Sequence, residues 1–155
     1  MNIKLKLSFF IYVTNIVFMI GAGFAFEFNN EFMSFHSEVI QTDWKDVTAN
    51  SQILYLGMMR TEGAGFLATA VALTFLLCVP FRKFEMWSYW GLTIIGVVEY
   101  FPTLLANYHV ASVTNASPPW LLMLLLIMSL LLALLLAIIG HRERIAINSE
   151  IRENI

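Results

Sequence analysis

Residues 119–140 read PWLLMLLLIMSLLLALLLAIIG, a run without a single charged side chain. As a helix this stretch rises about 33 Å, enough to cross a hydrocarbon core about 30 Å thick. The surrounding chain has the same character. Of its 155 residues 59% are hydrophobic and 13% charged, whereas ordinary soluble domains carry about 25% charged residues. Working outward, three more stretches are long and apolar enough to span: about 87–113, about 53–79, and about 7–28. Pro80 follows the second and marks a helix end. The expected fold is therefore all-α, a four-transmembrane-helix bundle forming one membrane domain over 1–155. It has an outer loop at 29–52 and a cytoplasmic tail at 141–155.

Charge sets the orientation. Lys4 and Lys6, then Arg82 and Lys83, then Arg142 and Arg144 all fall on one side of a four-span chain. Excess Lys and Arg mark the cytoplasmic side, so both termini are expected inside, in a multi-pass protein of the inner (plasma) membrane. The loop on the other face carries Glu31, Glu38, Asp43 and Asp46 against Lys45 alone. An alternative makes the first span a signal peptide cleaved near Gly23-Phe24-Ala25, although its apolar run is longer than the usual signal core.

Several function classes are disfavoured. A net charge of −2 leaves no basic footprint for nucleic acid. One cysteine, Cys78, permits neither an internal disulfide nor a CxxC pair. Its apolar surroundings predict a small core residue. The three histidines lack HxxxH or HExxH spacing, so no metal is expected. No cofactor is expected either: a bis-histidine haem needs facing histidines within the membrane, and only His109 comes near.

Arg60, Glu62 and Glu99 interrupt the apolar spans. A charge at mid-membrane costs at least about 2.5–3.5 kcal/mol, so such residues usually face a bundle interior, a partner or a cavity. At about 100° per residue, Glu62 shares a face with Met58, Gly65, Thr69 and Ala72, and is expected to point inward. Glu99 shares a small, weakly polar stripe with Ser88, Leu92, Gly96, Thr103 and Ala106. Arg60 lies on the opposite side of its helix, near Gly57, Ala64 and Val71, and is expected to pair with a carboxylate of the bundle or the loop, or else to snorkel outward. The plainer reading is that all three hydrogen-bond helices together. In the fourth span Ser129, Ala133, Ala137 and Gly140 form the surface that closes the bundle. In the first, Ser8, Asn15, Met19 and Ala22 face inward. Gly-Ala-Gly-Phe occurs at 21–24 and 63–66, and reads as packing surface rather than duplication.

In the outer loop Phe32, Phe35, Val39 and Ile40 recur at roughly helical spacing. This predicts a short amphipathic helix on the outer face, capping the bundle above Arg60 and His109.

The run Phe32-Met33-Ser34-Phe35-His36, then Trp44, then Met59-Arg60-Thr61-Glu62-Gly63-Ala64-Gly65-Phe66-Leu67-Ala68 resembles a group of small uncharacterised bacterial four-helix membrane proteins. Pro80-Phe81-Arg82 and Ser117-Pro118-Pro119-Trp120 fit the same pattern. Arginine followed by closely spaced glycines is also similar to the broader DoxX-like set. The resemblance covers roughly residues 7–137 and implies a four-helix bundle with no established reaction. It marks His36, Trp44, Arg60 and Gly63 as important, and departs from the pattern where Ala64 separates two glycines.

The residues thus point to a polar pocket in the outer half, with His36, Trp44, Arg60, Glu62, Glu99 and His109 as candidates. The expected function is binding of a small lipophilic molecule or lipid, such as a quinone or a sterol-like compound. The alternatives are an accessory subunit packed on a membrane partner or a second copy, and a lipid-modifying enzyme using Glu62 or Glu99 as acid and base. A transporter is disfavoured because four helices leave little room for alternating access.

Overall fold

The computed structural model describes residues 1–153, and all of its long elements are helices. Helix α1 spans Ile3–Phe28, α2 Ser34–Ile40, α3 Ala49–Leu76, α4 Met86–Val113 and α5 Trp120–Glu153. A 3-10 turn, Trp44–Asp46, lies between α2 and α3, and a π-helical turn, Leu77–Phe81, extends α3. Helices α1, α3, α4 and α5 are each long and apolar enough to cross a membrane. They run alternately up and down, so neighbours around the bundle are antiparallel.

The helix ends follow from capping chemistry. Asn2 opens α1 by accepting the Leu5 N–H at 3.0 Å, and Thr48 opens α3 by accepting that of Ser51 at 3.4 Å. Helix α3 does not stop at Pro80, as expected from sequence. A proline costs one backbone donor and crowds the preceding turn, and here the chain widens into the π turn and carries the helix to Phe81. Phe84 then reverses the chain with φ at 62°. The guanidinium of Arg144 lies 3.6 Å from the centre of its ring. Helix α5 continues through the expected tail as far as Glu153. Residues 154 and 155 lie outside the described residues.

The bundle closes on small residues. Ala133, Ala137 and Gly140 of α5 are buried, with Ser8 donating to the Ala133 carbonyl at 2.7 Å and Asn2 to the Gly140 carbonyl at 2.9 Å. Lys4 pairs with Glu143. The start of α1 therefore meets α5 near Gly140 and Glu143 at one end of the bundle, the end expected from loop charge to be the inner one. At the other end α1 and α3 touch backbone to backbone. A Cβ on Gly63 would sit 2.8 Å from the Gly23 carbonyl oxygen, and one on Gly23 would sit 3.0 Å from that of Gly63. The two Gly-Ala-Gly-Phe stretches thus meet as packing surfaces. Because the helices are antiparallel, the last glycine of one faces the first glycine of the other.

Cys78 is exposed rather than part of the core. An apolar run does not distinguish a lipid-facing position from a buried one, because both environments are equally dry.

Candidate functional site

Short α2 is the roof of the site. His36 is its third residue, and its Nδ1 accepts the Met33 N–H at 3.2 Å, the role a Glu or Gln takes in a capping box. That bond commits the neutral ring to carrying its proton on Nε2. Burial lowers the His36 pKa below its ordinary value, because a half-buried imidazolium loses hydration. Gln41 ends the helix in the left-handed region, φ 52°. Two ties hold α2 to the bundle. Glu38 accepts the Ser117 N–H at 2.8 Å. Buried Phe32 packs edge-on against Trp44 and Tyr55, with ring centres 4.9 and 5.7 Å away.

Beneath α2 is a cavity of about 140 Å³ lined by Phe18, Ala22, Phe26, Phe35, His36, Glu62, Phe66, Thr103, Asn107, Pro119, Leu122 and Met123. Every helix contributes. A second cavity of about 180 Å³ shares Phe35, His36 and Asn107 and extends beneath Val39 and Ile40 towards Tyr55, Val110 and Pro118. The amphipathic face expected from sequence therefore exists, and it covers the seam between α3 and α4 rather than lying flat on lipid. Among the described residues, the side chains of Glu62, Thr103 and Asn107 make no hydrogen bond within the protein. Their donors and acceptors are free toward the space they line. A carboxyl, a hydroxyl, a primary amide and an imidazole N–H around one aromatic cavity can bind a small head group that both donates and accepts hydrogen bonds.

The sequence candidates separate into distinct places. His36 and Glu62 line the cavity. Glu99 does not. It faces α3, where its Oε2 accepts the Thr69 hydroxyl at 2.7 Å and its Oε1 lies 3.6 Å from where a Gly65 Cβ would be. Trp44 braces Phe32 on the loop side, beside Glu31 and Lys45. His109 is exposed on α4, so α2 roofs Glu62, Thr103 and Asn107 instead of Arg60 and His109.

The expected pairing of Arg60 is overturned. Among the described residues the ion pairs are Lys4–Glu143 and Lys45–Asp43, and Arg60 is exposed. The helix turn explains why. Glu62 lies about 200° further round α3 than Arg60, on the side toward α4, whereas Arg60 is carried toward the outward flank of α1. Asn107 is a site residue that is not among the sequence candidates. Thr103 and Asn107 are four residues apart near the outer end of one span, and that spacing places both on one face.

No family model, curated protein or solved structure matches the chain.

Proposed function

We propose that this protein binds the polar head of a small lipophilic molecule in the cavity beneath α2, with the apolar remainder in the membrane. The observation that carries the reading is that Glu62, Thr103 and Asn107 have no partner among the described residues while lining a partly open space walled by Phe18, Phe26, Phe35 and Phe66. Glu62 is exposed and Thr103 and Asn107 are half-buried, so their donors and acceptors stay open to a guest that enters the space they line. An apolar cavity of about 150 Å³ holds a benzene-sized molecule. The 140 Å³ here therefore suits a single ring or compact head group, such as that of a quinone or lipid, and not a fused sterol body. Loop charge and the motif resemblance support placing the chain in a bacterial inner membrane, among small four-helix proteins of the DoxX-like kind.

The test is mass spectrometry of the protein released from native nanodiscs. A lipophile should accompany the wild-type chain and be depleted in Asn107→Leu and His36→Leu. Equal recovery of all co-purifying species from wild type and both variants counts against the site.

A second reading, a lipid-modifying enzyme, is favoured by one observation: His36 and Glu62 line the same cavity. On that reading Glu62, rather than Glu99, is the acid and base. Turnover of the co-purifying species by wild type, abolished in Glu62→Gln while binding persists, separates it from simple binding.

A further inference from the structure

The lipid-facing flank of α1 and α3 carries a groove of about 540 Å³ lined by Ile20, Phe24, Leu67, Ala70, Val71, Thr74 and Phe75. Its one polar side chain is already satisfied, since Thr74 donates its hydroxyl to the Ala70 carbonyl at 2.7 Å. Nothing in the groove asks for a hydrogen bond. It exists because Gly23 and Gly63 draw the two helix backbones together, leaving the flanking side chains as walls. Phe28 continues the α1 wall outward, stacked on Phe24 with ring centres 5.8 Å apart.

Arg60 stands at the head of this groove. It precedes Leu67, Val71 and Thr74 by seven, eleven and fourteen residues, offsets that return to nearly the same side of a helix. It lies about 10 Å outward of Leu67 and about 16 Å outward of Val71 along the axis. One leaflet of hydrocarbon is about 15 Å deep, so a head group held at Arg60 sets an acyl chain along the groove as far as about Val71. Arg60 is exposed and makes no ion pair among the described residues. Gly57, one turn further out, has open space where a side chain would be, which leaves the guanidinium accessible. A guanidinium is suited to planar, bidentate bonds to phosphate oxygens.

We infer that the α1–α3 groove with Arg60 is a binding site for an anionic phospholipid, the phosphate on Arg60 and one acyl chain along Leu67 and Val71. This site lies on a different flank from the cavity beneath α2 and does not depend on what that cavity holds. The charge argues for this occupant over a partner helix. An apolar helix would fill the groove but leave Arg60 unpaired, whereas an anionic lipid satisfies both.

Native mass spectrometry of the full chain tests this, with phosphatidylglycerol or phosphatidylcholine of identical acyl chains added in equal amount. Wild type should retain more phosphatidylglycerol than phosphatidylcholine. Arg60→Gln should retain about one phosphatidylglycerol fewer per chain, Arg60→Lys should recover part of it, and Val71→Trp should displace that lipid by filling the groove. Unchanged phosphatidylglycerol retention in Arg60→Gln overturns the inference, since the basic residues at the inner end would then account for all of it. A dimer that dissociates in Arg60→Gln, with lipid retention unaltered, also overturns it and gives the groove to a second copy of the chain.

Discussion

In the half of the bundle nearest the termini, polar side chains find partners inside the protein, whereas beneath α2 several do not. Tyr12 meets the Thr93 hydroxyl at 2.8 Å, Asn15 donates to Ser129 at 2.9 Å, and Tyr89 meets His141 at 3.2 Å. Only the Oδ1 of Asn15 is left over among buried side-chain atoms of the described residues. The inner contacts link α1 to α4, α1 to α5 and α4 to α5, and are surrounded by buried Leu92, Leu130 and Ala133. In the outer half Glu62, Thr103 and Asn107 surround a void. The same residue chemistry therefore serves two ends. With a partner in reach it fixes helix against helix, and with a space in reach it prepares a site.

Packing gives the sharpest way to break this comparison, because it predicts that stability resides in the helix seams and not in the polar outer residues. Gly63→Ala forces a methyl to within 2.8 Å of a backbone oxygen, which only a shift of α1 or α3 can relieve. Overpacking of this kind costs about 1–3 kcal/mol. Gly65→Ala places its methyl 3.6 Å from Glu99, an ordinary contact, and should change stability by no more than about 0.5 kcal/mol. Denaturation of both variants in detergent reads the difference. Equal losses for the two would remove the Gly23–Gly63 contact as the reason α1 and α3 stay together.

A smaller effect divides the two halves directly. Tyr12→Phe deletes the hydroxyl that bridges α1 and α4, and side-chain hydrogen bonds between membrane helices are worth about 0.6 kcal/mol on average. Asn107→Leu deletes an amide that bonds to nothing in the protein, so it should leave stability unchanged or raise it while emptying the cavity of its ligand. If Asn107→Leu destabilises the detergent-solubilised protein more than Tyr12→Phe does, the outer polar residues are structural after all.

The spans were legible in the sequence because hydropathy is a property of single segments. The inward faces of α1 and α5 were legible too, since Ser8, Asn15, Ala133 and Ala137 stand out against Leu and Phe. Arg60 was not. Its pairing depended on which flank of α3 lay against α4, and a helix wheel fixes relative angles without saying which angle a neighbour occupies. Cys78 failed for a related reason, since lipid and core look alike to an apolar residue. The cavity was half legible: loop spacing announced α2, but its placement over the α3–α4 seam comes from tertiary contacts between Phe32, Trp44 and Tyr55 and from the Glu38–Ser117 bond. None of these is visible in any one segment.

The mildest test of the outer half is pH. His36 holds α2 to its own N-terminal turn only while Nδ1 is an unprotonated acceptor, and burial already favours that neutral form. A protonated His36 would turn an N–H toward the Met33 N–H, two donors face to face. The titratable group that shares its cavity from another helix is Glu62, α4 and α5 supply Thr103, Asn107 and apolar side chains there, and Glu38 lies on α2 itself. Because the docked pKa lies below the ordinary value near 6.5, the undocked loop binds the proton more readily. Docking is then fully favourable above pH 6.5, and weakens as pH falls through that value toward the lower docked pKa. Hydrogen exchange across residues 34–40 should accelerate between pH 7.5 and about 5, after correction for intrinsic exchange, while the inner halves of α4 and α5 stay protected. In His36→Gln, whose amide oxygen keeps the acceptor without titrating, the acceleration should disappear. Acceleration that persists in His36→Gln would remove His36 as the source of the pH response and leave it as a lining residue.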